Sequence, residues 1–378
     1  MLETAIAPNK TSVLHELTEA HPSLAFYDMI VFCHLRWDFV YQRPQHLISR
    51  MSKHFKILMI EEPLGEGKDG EKSANLIKVK PQLFVLQPKV NTIEDIAELL
   101  PKYIRNEQIE VGWCYSPSFY PLVNKLTFNH LIYDCMDELS LFKGAPDALI
   151  KQEQLLLKKA DVVFTGGKSL YESKKQLHNN VFCFPSSVDE AHFAKAKDII
   201  AVPHDMKQIP KPIVGYFGVI DERIDFELMV AVATAMPHIS FVMVGPLAKI
   251  HDSDLPRLPN LYYLGMKTYE ELPTYLSQFD MAMMPFALND ATKFISPTKT
   301  LEYMAAGKPI ISTRIKDVER DYHHCVTLID NADDFSRALV AIEEQLESEN
   351  KDYHEVLSRT SWDNTATNMY DIIKERTL

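Results

Sequence analysis

The chain has 378 residues, 46% of them hydrophobic and 24% charged, which is ordinary for a globular protein and long enough for two domains. Its formal net charge of −12 argues against a general nucleic-acid binder, yet leaves room for a local basic patch facing a phosphate or an anionic membrane. No apolar run is long enough to span a bilayer, and Met1 to Lys10 carries Glu3 early without the basic-then-apolar order of a signal peptide. Cys33, Cys114, Cys135, Cys183 and Cys325 are scattered, odd in number and without CxxC spacing, so reduced thiols in a cytoplasmic protein are expected, with neither a metal nor disulfides.

Residues 1 to about 25 are polar and read as a loose arm or short helix. Met29 to Cys33 has strand length, and a polar, aromatic loop from His34 to His46 follows it. A helix is expected from about Pro44 to Lys53, and Phe55 to Ile60 is the next strand, so the chain opens as β-loop-α-β, the start of a parallel doubly wound domain. Ligands of such sheets bind beyond the carboxyl ends of the strands, where this loop lies. Its two arginines, two histidines, Trp37 and Tyr41 are costly to gather without a ligand; the plainer alternative is packed rings and solvated charges. Glu61 to Pro88 reads as a hairpin or irregular excursion, Ile93 to Ile104 as a helix and Ile109 to Tyr115 as a strand. His130 to Asp134 is another strand, with Cys135-Met136-Asp137-Glu138 just past its end. Asp137 or Glu138 can act there on a sugar hydroxyl or as a base, against the alternative that an aspartate only caps the turn. A helix from Asp147 to Lys159 and strands at Val162 and Val181 complete this half, and Ala201 to Pro212, with three prolines, is the expected linker.

The second half restarts the pattern. Ile213 to Gly218 runs from a strand into a glycine turn, with Arg223 in the loop and a helix from Asp225 to Ala235. The Arg223 fork suits a pyrophosphate, unless Glu222 or Asp225 pairs with it. Ser240 to Pro246, Leu261 to Gly265 and Met281 to Phe286 are further strands. Ser296 then reads as the N-cap of a helix with Pro297 at its first position, ended by Gly307 and Pro309 before the buried Ile310-Ile311. The unpaired N–H groups at such a helix start attract phosphate. Thr298 adds a hydroxyl and Lys299 a cation, and Glu302, one turn on, can accept both hydroxyls of a ribose. The alternative is a capped helix with a solvated Glu–Lys pair. Thr313 to Val326 is expected to continue the sheet, followed by an amphipathic helix from Ala332 to Leu346 and a last helix capped by Ser361-Trp362-Asp363. There is no GxGxxG, which counts against an NAD or FAD enzyme.

Glu302 and Gly307-Lys308-Pro309-Ile310-Ile311 resemble the end of the nucleotide-sugar motif of family 4 (group 1) glycosyltransferases with the GT-B fold. The segment HLRWDFVYQRPQHL resembles the N-terminal signature of one branch of that family. The motif's first Glu, associated with donor-sugar hydroxyls, falls on Phe294. The family's basic Arg and Lys pair is represented by Arg223 alone, with Lys299 as a substitute for the missing partner. The resemblance implies an arm (1–25), an acceptor domain (26–205), a nucleotide-sugar domain (206–360) and a helix (361–378) crossing back to the first domain, anchored by Trp362. It further implies metal-independent, retaining transfer from a UDP- or GDP-linked sugar to a cell-surface glycan or lipid-linked acceptor, at the cytoplasmic face of the inner membrane, without a cofactor.

The expected catalytic residues are Asp137, Glu138, Arg223 and Lys299. The donor side comprises Gly218, Arg223, Ser296, Pro297, Thr298, Lys299 and Glu302, and the resemblance implies a nucleobase near the region from Leu261 to Pro273. The acceptor side comprises His34, Arg36, Trp37, Tyr41 and Arg43. Three rivals stay open: an inverting enzyme with Asp137 as base, a nucleotide-sugar epimerase of the same fold, and a non-catalytic nucleotide-sugar binding protein.

Overall fold

The computed structural model describes residues 18–19, 24–65, 70–345 and 353–377. Most of the polar arm and the tip of the glycine-rich turn after Leu64 lie outside them.

Strands β1 (Thr18–Glu19), β2 (Met29–Cys33), β3 (Ile57–Glu61), β4 (Ser73–Lys80), β5 (Leu83–Lys89), β6 (Ile109–Cys114), β7 (Phe128–Cys135), β8 (Val162–Thr165) and β9 (Val181–Cys183) form one sheet. Its order is β1-β4-β5-β3-β2-β6-β7-β8-β9. The strands from β5 to β9 are parallel, while β4 turns back antiparallel on β5, the hairpin expected between Glu61 and Pro88. Helices α1 (Arg43–Met51), α2 (Ile96–Leu99), α3 (Tyr120–Val123), α4 (Ala148–Lys159) and α5 (Lys168–Lys174) cover its faces, and α6 (Glu190–Ala194) leaves it. The Ile93–Ile104 stretch makes only the single turn of α2 and a 3-10 turn, because Pro101 interrupts it.

The second sheet holds β10 (Ile213–Phe217), β11 (Ser240–Val244), β12 (Leu261–Tyr263), β13 (Met281–Met284), β14 (Ile310–Thr313) and β15 (Thr327–Ile329) in the order β12-β11-β10-β13-β14-β15. All its pairs are parallel, and this is the doubly wound arrangement in which the strand order reverses between β10 and β13. In the first sheet the reversal lies between β2 and β6. The two loops suspected from the sequence, after β2 and after β10, therefore stand at the two switch points. Around the second sheet pack α7 (Phe226–Ala235), α8 (Leu272–Ser277), α9 (Thr298–Ala305), α10 (Lys316–Tyr322), α11 (Ala332–Gln345) and α12 (His354–Leu357), and α13 (Trp362–Thr377) ends the described chain.

Three expectations change. Thr313 to Val326 does not continue the sheet throughout, because α10 intervenes between β14 and β15 as the crossover that a parallel pair requires. The N-cap of α9 is Pro297, not Ser296, whose backbone carbonyl instead accepts from Ser186 Oγ at 2.5 Å. The chain also joins the second core before its proline-rich linker: Val188, Phe193, Ala196 and Met206 are buried in that core. The return crossing is as expected, with α13 packing on α1 and Trp362 fully buried in the first domain's core, its ring 4.8 Å from His46 and nearly parallel. Among the described residues no helix is long and apolar enough to cross a membrane.

Candidate active site

The site assembles from three loop ends. β10 stops at Phe217, and Gly218 turns the chain with φ +138°, a conformation that favours glycine. A Cβ at Gly218 would stand 2.0 Å from Lys299 Cε, so this glycine also makes the space that Lys299 fills. Lys299 enters from the first turn of α9 with its ammonium 5.5 Å from the Tyr216 ring, and among the described residues it forms no ion pair or hydrogen bond. Glu302 lies one turn on. Burial pushes its carboxyl up to about 7 against the pull of Lys299, while burial lowers the Lys299 ammonium against the pull of Glu302.

Arg223 comes from the β10–α7 loop. Asp221 holds it, accepting from Nε at 3.0 Å, from Nη2 at 2.7 Å and from the Arg223 backbone N–H at 3.0 Å. The partner is therefore neither Glu222, which pairs with Lys249, nor Asp225, which caps α7 at Leu228. Nη1 stays outside the pair.

Arg223 and Lys299 stand between two adjoining pockets. One, of about 670 Å³, is lined by Val40, Tyr41, Gly218, Lys267, Tyr269, Thr298 and Glu302 among others. The second, of about 600 Å³, is lined by Arg43, Asp137, Ser186, Ser296, Pro297 and Thr298. A wider groove of about 1310 Å³ shares Asp137 and Arg223 with the second pocket and runs past His34, Leu35, Phe39, Phe142 and Leu149. Asp137, just after β7, thus lines both the second pocket and the groove. Burial pushes its carboxyl up to about 6, although Arg223 pulls the other way.

The donor-side residues Gly218, Arg223, Ser296, Pro297, Thr298, Lys299 and Glu302 all line these two pockets. The acceptor-side set divides. His34 lines the groove; its Nδ1 is buried without a partner, and burial lowers its pKa to about 4. Arg36 is consumed by the Glu61 carboxylate at 3.2 Å and the carbonyls of Glu62 and Pro63. The Trp37 ring packs on the first domain's core while its backbone N–H donates to Glu61, and it lines none of the three cavities. Arg43 is only 4% exposed; its fork closes on Asp134, and Nη1 donates to the Phe184 carbonyl at 2.8 Å. Tyr41 turns to the first pocket, stacked on Tyr269 with centroids 4.6 Å apart. Glu138, expected to be catalytic, points into the domain instead, where buried Lys174 meets it at 2.7 Å and Glu153 at 2.7 Å. Phe294, at the motif's first Glu, packs against the first domain's core rather than lining a pocket.

Sequence reading missed Asp221 and gave Tyr269 only a neighbourhood. The signal for Asp221 was an acid two residues before an arginine in a glycine-initiated turn. Tyr269 had no local signal, because the residues it meets are distant in sequence.

Residues 211–345 match the family described as "Glycosyl transferases group 1". That stretch is similar to the group 1 family, and the chain as a whole has the GT-B fold. The Bacillus subtilis (strain 168) protein named teichuronic acid biosynthesis glycosyltransferase TuaH is 27% identical over 240 residues, 59% of this chain and 60% of that one. Sucrose-phosphate synthase from Thermosynechococcus elongatus superposes with a TM-score of 0.68 at 15% identity, covering 92% of this chain and 98% of its own. Anabaena HepE, solved with UDP and glucose, gives 0.60 at 11%, covering 92% and 99%. At those identities the two solved structures share the fold alone. The matched stretch contains Gly218, Arg223, Lys299 and Glu302; Asp137, His34 and Tyr41 lie before it.

Proposed function

We propose that this protein transfers a glycosyl group from a nucleoside diphosphate sugar to a hydroxyl of a glycan or lipid-linked acceptor. One observation carries the reading: Lys299, which among the described residues has no carboxylate within ion-pair distance, and the Arg223 fork both line the two adjoining pockets at the start of α9. A cation placed in the first turn of a helix opposes the helix dipole, so the arrangement makes sense with an anion present. The bond from the sugar's anomeric carbon to the diphosphate oxygen breaks. Arg223, Lys299 and the α9 N–H groups then stabilise the departing diphosphate. Glu302, which lines the first pocket, is the acceptor assigned to the ribose hydroxyls in this reading.

Retention of anomeric configuration is the reading that the family resemblance supports. A second reading, inversion, is favoured by Asp137, which lines the second pocket and the groove together and can take the proton of the attacking hydroxyl. The configuration of the product at its new bond, read by NMR coupling constants, separates the two. Since Phe294 cannot hydrogen-bond sugar hydroxyls through its ring, the donor sugar is held without that motif carboxylate.

Calorimetry with UDP, GDP and ADP tests the site. The wild type is expected to bind at least one of them. Lys299→Ala should weaken that ligand by about 1.5–3 kcal/mol, the range of a charge-assisted bond, with an unchanged melting point. Equal affinity in variant and wild type would remove the proposed phosphate site.

A further inference from the structure

The proposed nucleotide pocket is not built from one domain. Val40, Tyr41 and Gln42, from the loop before α1 in the first domain, line it together with residues after β10, β11 and β12 of the second. Tyr41 reaches across and stacks on Tyr269, ring centroids 4.6 Å apart and 30° from parallel. Tyr269 has a buried hydroxyl without a hydrogen-bond partner and stands near enough to Glu302 to feel its charge. Tyr269 and Tyr41 thus line the same pocket as Glu302.

The pair is itself held by rings from two other segments. His192 of α6 lies flat on Tyr269 at 4.1 Å, and its Nε2 stands 2.9 Å from the Tyr269 carbonyl oxygen. His46 meets Tyr41 edge-on at 4.7 Å and stacks on Trp362 of the returning helix. Three segments therefore contribute to this cluster: the loop before α1, the outgoing α6 and the returning α13. Rings held on several sides lose little freedom on binding, and an aromatic side chain lining the pocket is what a heteroaromatic base can pack on.

We infer that Tyr41 is a positioning residue for the nucleobase, supplied to the second domain's nucleotide site by the first domain. The inference rests on the proposed function and adds to it that base recognition is shared between the domains.

The experiment uses the full chain, with UDP, GDP, ADP and inorganic pyrophosphate as calorimetric probes. Tyr41→Ala should raise the Kd of the nucleotide that the wild type binds roughly two- to tenfold, the worth of an aromatic pair. Pyrophosphate affinity should not change, and Tyr41→Phe should restore the wild-type Kd for the nucleotide. Tyr41→Leu keeps the bulk without the ring, so it serves if the alanine variant fails to fold, and it should show the same selective loss. Unchanged nucleotide affinity in both the alanine and leucine variants overturns the inference. So does an equal loss for nucleotide and pyrophosphate, which would mean that Tyr41 acts only through the fold. If the wild type binds none of the three nucleotides, it is the proposed function that falls; if it binds one and Tyr41→Leu binds it equally, only this inference does.

Discussion

Arg43 and Arg223 carry the same fork, each closed on an aspartate, and end unequally engaged. Arg43 gives Nε and Nη2 to Asp134 and Nη1 to the Phe184 carbonyl, so each of its three nitrogens is already engaged within the first domain. Arg223 gives only Nε and Nη2 to Asp221 and lines all three cavities. Both arginines line the second pocket, but pairing holds Arg43 from two sides and leaves Nη1 of Arg223 outside its pair. Asp137 is the group whose ionisation can be followed. Its carboxyl is raised to about 6, so it is charged above that pH and protonated below it. If it is the base, kcat/KM should fall as pH drops below about 6, and Asp137→Asn should remove that limb while UDP binding remains. The same limb persisting in Asp137→Asn would exclude it. The stability sign runs oppositely: a raised acid favours the folded state most below its ordinary value near 3.8, and that contribution disappears as pH rises through 6.

Among the elements, the β10 turn and the start of α9 act as one unit. Gly218 has no Cβ, and Lys299 occupies the space beside it. Gly218→Ala places a methyl 2.0 Å from Lys299 Cε at a φ that L residues rarely adopt. Backbone strain of this kind costs on the order of 1–3 kcal/mol. The variant should lower the melting point and weaken UDP by an amount similar to Lys299→Ala, because the methyl must displace the lysine. A Gly218→Ala protein with full UDP affinity would show that Lys299 does not need this space. The short α5 teaches a related lesson. Its N-cap, Gly167, makes no side-chain cap, and the Ser169 N–H is met by Asp317 of α10 in the other domain, at 3.1 Å.

That contact belongs to the whole molecule. Asp317 is 3% exposed and also accepts from Ser169 Oγ. Around it Lys168 pairs with Asp321, and Glu172 pairs with both Lys316 and Arg320. On the other side of the cleft the aromatic cluster of Tyr41, His192, Tyr269 and Trp362 joins the same two domains. Phe294 adds an apolar bridge to the first core. Asp317→Ala removes a cap worth roughly 0.5–2 kcal/mol and leaves the α5 start unpaired. Hydrogen exchange at Lys168 to Leu170 should accelerate more than the loss of global stability accounts for. Uniform acceleration across both domains would mean that the contact contributes to the fold in general and not to domain closure.

The two-domain α/β architecture was legible along the chain because β2, β10, β11 and β13 are short apolar runs ending in turn residues, and such runs announce parallel strands whatever packs on them. The grouping of Gly218, Pro297, Thr298, Lys299 and Glu302 around two adjoining pockets was legible for the same reason: they sit within one turn and one helix, so their spacing carries their geometry. The acceptor-side loop was not. Arg36, Trp37, Tyr41 and Arg43 look alike as polar and aromatic residues near a strand end. Their roles depend on Glu61, Tyr269 and Asp134, which lie tens to hundreds of positions away. Glu138 was misplaced because Lys174, thirty-six positions on, draws it inward. Local spacing determines what a helix start or a strand can be; where a long side chain points is decided by the partner that tertiary packing brings to it.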